Sequence, residues 1–280
     1  MHRKRQVAAI ALTAMYVSAI FVWPPRSWSP WVGTAFSRPK DWLFELIHRC
    51  FSLFGQSDAS SFRRYAAYFL LVQLVIPWSV MLLIRRGRPR DLGLRRPNRL
   101  ALRIALPAYL ISVPFLIWMV RSPGFVRYYR PALEESMSGF LLMYLAAIVG
   151  EHFLFHGVML AAFHPSSRWP SAEPPLAVRT SGVRGVLQWL GIAHPVDGAT
   201  GWNRAGRWLG LRDGCLVAIL ASAALFALVH LGKDSREMLL SIPGGLAEAY
   251  LAYRTNSLLT PMVLHLATAG TACAAMVLLA

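Results

Sequence analysis

Glu151, His152 and His156 stand in the middle of an apolar run from Met137 to Phe163, in the stretch Gly-Glu-His-Phe-Leu-Phe-His-Gly that begins at Gly150. A positioned carboxylate can take or give a proton, and an imidazole can do the same or bind a metal. At membrane depth such groups carry a desolvation cost, so they are kept for a function and face a polar interior. His230 and His265 also fall within apolar runs, as does one further acid, Glu248. The chemistry open to this set is proton transfer to or from a water, stabilisation of an oxyanion, or metal binding.

Helical geometry separates the roles. His152 and His156 are i, i+4 and share a face, whereas Glu151 points about 100° away from His152. The pair His152-x-x-x-His156 offers two zinc ligands that Glu151, His230 and His265 could complete. The order Glu-His-x-x-x-His is not the His-Glu-x-x-His of metallopeptidases, so no cofactor is expected and zinc stands as the alternative. Glu248 follows Gly244 and Gly245, close-packing residues that invite helix contact. It reads either as a satisfied polar residue beside a cavity or as a second working carboxylate.

The elements that must position these residues are membrane helices. Hydrophobic residues make up 56% of the 280 and charged residues 15%, where a soluble domain carries roughly a quarter charged. The apolar blocks are long enough to cross a bilayer, which takes about 20 helical residues. The expected fold is therefore all-α, a polytopic bundle of about seven transmembrane helices. Expected spans are 7–23, 65–84, 104–120 (with Pro107 and Pro114 as bends), 137–163, 215–231, 239–253 and 261–279. The first reads as an uncleaved helix, 41–54 as an interfacial segment, and 182–192 as a short surface helix. The last span begins at Thr260-Pro261, a hydroxyl cap followed by proline at the first helical position. Residues 1–136 read as an N-terminal region with a basic loop, and 137–280 as the core that carries the chemistry, with a polar loop at 164–213.

A net charge of +16 would suggest nucleic acid in a soluble chain. Here the basic residues lie between apolar blocks, where they set topology and meet anionic headgroups, so no nucleic-acid partner is expected. With the N-terminus inside, the inner segments hold 18 Lys and Arg and the outer ones 11, which favours a cytoplasmic N-terminus. The ratio of 26 Arg to 3 Lys fits a bacterial inner-membrane protein. Cys50, Cys215 and Cys273 fit neither a disulfide framework nor a zinc pattern.

Three stretches resemble the CAAX-prenyl-protease and bacteriocin-processing (Abi) family of glutamate-type intramembrane endopeptidases. They are Glu151-His152-Phe153-Leu154-Phe155-His156-Gly157, Phe226-Ala227-Leu228-Val229-His230-Leu231, and Tyr253-Arg254-Thr255-Asn256-Ser257-Leu258 through Pro261 to His265. Asp91-Leu92-Gly93-Leu94 adds a weaker match upstream. The family pattern is Glu-Glu-x-x-x-Arg, Phe-x-x-x-His and His-x-x-x-Asn on three membrane helices. Carried over by position, the resemblance implies that Glu151 is general base on a water, that His230 holds that water, and that His265 stabilises the oxyanion. The substrate it implies is a membrane-associated protein or peptide, cleaved for processing or sorting.

The chain departs from this pattern at three positions. His152 and His156 stand where the family has an ion-paired glutamate and arginine; replacing both avoids a buried unpaired charge. The last motif's asparagine is Ala269, and neighbouring Thr268 points about 100° away. Losing one oxyanion donor costs about 10²–10³ in rate, so a pseudo-protease that binds a membrane peptide without cutting it is a second alternative. Depth sets a last condition. Glu151 is about 21 Å below the outer end of its span and His230 about 22 Å from the inner end of its own. Their meeting requires a deeper start, tilt or a wet cavity.

Overall fold

A computed structural model describes residues 61–85, 92–163, 182, 185–186, 206, 209–211, 214–231 and 233–279. Among these, every regular element is helical. Helix α1 (Ser61–Leu70) runs through a π-helical turn (Leu71–Val75) into α2 (Ile76–Arg85). Next come α3 (Leu100–Val120), α4 (Pro123–Glu135) and α5 (Met137–Glu151). A second π segment, His152–Met159, joins α5 to α6 (Leu160–Phe163), and α7 (Cys215–Leu228), α8 (Ser235–Thr255) and α9 (Leu259–Leu279) complete the bundle. The expected first span, the interfacial segment and most of the 164–213 loop lie outside the described residues.

Among the described residues, three helices are long and apolar enough to cross a membrane: Leu100–Val120, Met137–Phe163 and Leu259–Leu279. The molecule is an all-helical polytopic membrane bundle. Of these three, only Met137–Phe163 is central: 83% of its most apolar window is buried, against 11% and 17% for the others. Phe153, Leu154 and Phe155 pack there against Val72, Phe226 and Tyr253. Leu102, Leu106, Leu110 and Phe115 of α3 and Val263 and Val277 of α9 point outward, as lipid-facing residues should.

The depth condition bears on the central rod, which is 27 residues long. Glu151 is twelve residues from Phe163, about 18 Å. Helix α7 packs along the π segment and α6, and its 14 residues span about 21 Å. Its C-terminal end therefore arrives at the level of Glu151.

Local chemistry fixes the boundaries. Ser136 caps α5, its hydroxyl accepting from the Gly139 amide at 3.1 Å. Helix α8 starts earlier than its apolar run because Asp234 accepts from the Arg236 amide at 3.0 Å. It places Glu237 in the first turn and Arg254 in the last, matching its dipole, and stops at Asn256 in the left-handed region, φ 56°. Helix α9 also starts before the expected cap. Ser257 accepts from the Leu259 amide at 3.1 Å, so Pro261 lies at the third helical position and the Thr260 hydroxyl makes no hydrogen bond. Pro107 and Pro114 lie inside α3. Helix α4 was not expected; its amphipathic Pro-Gly-Phe-Val-Arg-Tyr-Tyr-Arg start is too polar for a span.

Residues 92–98 form a joint with the α8–α9 turn. The Leu258 amide donates to Gly93 O at 2.9 Å and the Asn98 amide to Thr255 O at 3.1 Å. Asn98 Nδ2 donates to Arg254 O at 2.8 Å, and Ser257 Oγ to Arg95 O.

Candidate functional site

The central rod changes from α to π winding at His152. The wider i→i+5 turn leaves its carbonyls and side chains in a register that α-helical spacing does not offer, and such turns gather at functional sites. Gly150, just before, is required by close approach: a Cβ there would collide with Gln73 of the first π turn.

His152 and His156 are both fully buried, with ring centroids 5.2 Å apart. Nδ1–H of His152 donates to Ile148 O at 2.8 Å. The Ser222 hydroxyl donates to Phe155 O at 2.8 Å, so at 2.9 Å it can only accept from His156 Nδ1–H. Both rings thus turn Nε2 the same way, toward Glu248 of α8. Oε2 of Glu248 is 3.5 Å from His152 Nε2 and 3.3 Å from His156 Nε2. Its other oxygen is 3.2 Å from His265 Nδ1 of α9. Glu248, read from the sequence as either a satisfied polar residue beside a cavity or a second working carboxylate, is the carboxylate on which three histidines converge, so the site draws on α8 as well as the central rod, α7 and α9. His152, His156 and Glu248 present donor atoms within 4.8 Å of one another, a set able to hold a metal.

His230 lies in the turn after α7, its Nδ1–H donating to Phe226 O at 2.9 Å. Phe226 is the packing centre of the cluster: its ring lies 4.6 Å from His230, 5.3 Å from His156 and 6.2 Å from His265. A cavity of about 440 Å³ opens beside them. Its polar lining includes His230, Glu248, His265 and Thr268, with Ala269 beside them, and also Tyr129 and Glu237, while the remainder is mostly apolar and comes from α3, α4, α5, α8 and α9. The Thr268 hydroxyl donates to His265 O at 2.9 Å, back into its own helix, so it supplies no hydrogen to the space beside Ala269. Glu151 is half-buried and stands outside the cavity lining, within electrostatic reach of Lys233, His265, Glu248 and Glu237.

Sequence reasoning missed Lys233, Glu237 and Tyr129. Lys233 Nζ donates to Glu237 Oε1 at 2.8 Å, and Tyr129 of α4 donates to the same oxygen at 2.8 Å. Burial works against the Lys233 cation, but the carboxylates of Glu237 and Glu151 outweigh it and hold the ammonium above the usual lysine range. Burial and the Glu237 charge push the Tyr129 phenol well up, so it stays a neutral donor. In the sequence these charges read as a solvated loop. The one usable signal was the i, i+4 spacing of Lys233 and Glu237.

Residues 133–271 match the model of a family described as type II CAAX prenyl endopeptidase, Rce1-like. The matched stretch holds all the residues gathered on Glu248, together with Glu151 and His230. No curated protein and no solved structure matches the chain.

Proposed function

We propose, from the match of residues 133–271 to the type II CAAX prenyl endopeptidase, Rce1-like family model, that the chain is an intramembrane endopeptidase using Glu151 to activate a water. In this reading Glu151 takes the proton from the water, and His230 holds the water against the scissile carbonyl. His265, oriented by Glu248, donates to the oxyanion of the tetrahedral intermediate. The observation that carries the reading is the meeting of His230, His265 and Glu248 along one flank of a cavity that is otherwise lined mostly by apolar residues. Such a cavity suits a membrane-associated protein or peptide whose lipidated or apolar part rests on the α3 and α9 side while its backbone faces the histidines.

The test is cleavage of a membrane-associated substrate by purified protein. That substrate is found by comparing membrane proteomes of cells with and without the protein. Glu151→Gln should lower the initial rate by about 10³-fold or more with little change in substrate affinity. Equal cleavage by both proteins overturns the mechanism. A pseudo-protease is the second reading, favoured by the missing donor at Ala269 and the inward-turned Thr268 hydroxyl. It predicts that the Glu151→Gln variant still supports the cellular phenotype.

A further inference from the structure

The contact between Glu248 and the two histidines of the π segment is chemically incomplete as drawn by its hydrogen bonds. Ile148 O can only accept, so His152 must carry its ring proton on Nδ1. Ser222 has spent its only hydrogen on Phe155 O, which places the His156 proton on Nδ1 as well. A neutral imidazole has one N–H. Both Nε2 atoms therefore turn a lone pair toward a carboxylate oxygen, which also offers only lone pairs. His152 Nε2 is buried and makes no hydrogen bond. Something positive must lie between these three acceptors.

Two additional protons are one solution. They would make two imidazolium rings 5.2 Å apart in a buried site, where like charges repel strongly. They would also form charge-assisted N–H···O bonds, which run at about 2.7–2.9 Å. The observed separations are 3.3 and 3.5 Å, too long for that. A metal ion is the other solution. With ligand bonds of about 2.0–2.1 Å, the edge of a tetrahedron around zinc is about 3.3–3.4 Å. The two nitrogen–oxygen separations lie close to that edge, and all three donor atoms lie within 4.8 Å of one another.

We propose that His152, His156 and Glu248 bind a divalent first-row transition metal, with zinc the best fit. The donor set of two imidazoles and one carboxylate is borderline-soft and suits zinc over magnesium or calcium. Each histidine has the outer partner that metal-bound histidines need: Ile148 O for one and the Ser222 hydroxyl for the other. The imidazoles bind neutral and the carboxylate binds as an anion, so no proton need leave. Three protein ligands leave a fourth position, on the side where Glu248 lines the cavity. The site ties the π segment to α8, and it stands independently of the peptidase reading.

The experiment uses full-length protein in detergent micelles with its purification tag removed. It is stripped with a chelator, dialysed against Zn²⁺ or Co²⁺, and freed of loose metal. About one ion per chain should remain, and bound Co²⁺ should give the visible absorption of a four-coordinate site. Glu248→Gln and His156→Gln should each lose retained metal at least about tenfold. Ser222→Ala leaves all three ligands and should weaken binding by about 10–100-fold, so it reports on the site even if a ligand variant fails to fold. Glu151→Gln should retain the full equivalent. A wild-type protein that retains no cobalt, or retains no more than Glu248→Gln, overturns the proposal. So does unchanged retention in Ser222→Ala together with either ligand variant. None of these readouts uses peptidase activity.

Discussion

His152 and His156 both turn Nε2 toward one oxygen of Glu248, whose other oxygen faces His265 Nδ1. Ring spacing made the His152–His156 contact legible in the sequence, because i, i+4 residues share a helix face. The role of Glu248 was not, since 92 residues separate it from His156 and only packing of α8 onto the rod brings them together. Ala269 carries a prediction at this scale. It lines the cavity one turn beyond His265, where an amide could reach a developing oxyanion. Ala269→Asn should raise the initial cleavage rate by up to about 10²-fold with little change in KM. No gain in a folded variant would mean that another donor already serves the oxyanion.

Helix α8 approaches α7 at Gly245, and that contact sets where Phe226 stands. A Cβ at Gly245 would lie 2.8 Å from Phe226 Cδ1 and 3.4 Å from Ala223 O, whereas one at Gly244 would meet nothing within 4 Å. Gly245→Ala should therefore destabilise the protein by about 1–3 kcal/mol through overpacking, seen as a lower Tm in detergent, and should reduce cleavage by shifting the ring against His156 and His230. Gly244→Ala should stay within about 0.5 kcal/mol of the parent. Elements of this kind were legible where hydropathy decides them, as in Met137–Phe163. Their ends were less so. Asp234 and Ser257 cap helices whose apolar runs begin several residues later, and periodicity does not register a side-chain cap. The π winding at His152 left no mark in sequence at all, because it arises from how the rod packs against α2, α7 and α8.

The two halves of the chain are interleaved rather than joined end to end. Helix α1 packs on α5, and α3 packs on both α8 and α9, so the catalytic helices lean on residues before 137 for much of their support. Residues 137–280 produced alone should accordingly fail to give a monodisperse, helical species in detergent by fluorescence-detected size exclusion. A stable, cavity-bearing fragment would show that the earlier helices only decorate it. This arrangement also explains why the resemblance to the family was readable before the site was. The weaker-matching Leu92–Leu94 stretch and the Arg254–Leu258 stretch are the two sides of the joint at the start of α9, and neither reaches the cavity. They are architectural signatures, recognisable in any chain that builds this scaffold. A relative could exchange Glu151 for glutamine and keep both. On the proposed mechanism, cutters and binders built on this scaffold would differ at position 151 and around Glu248, while the joint would be the same in both.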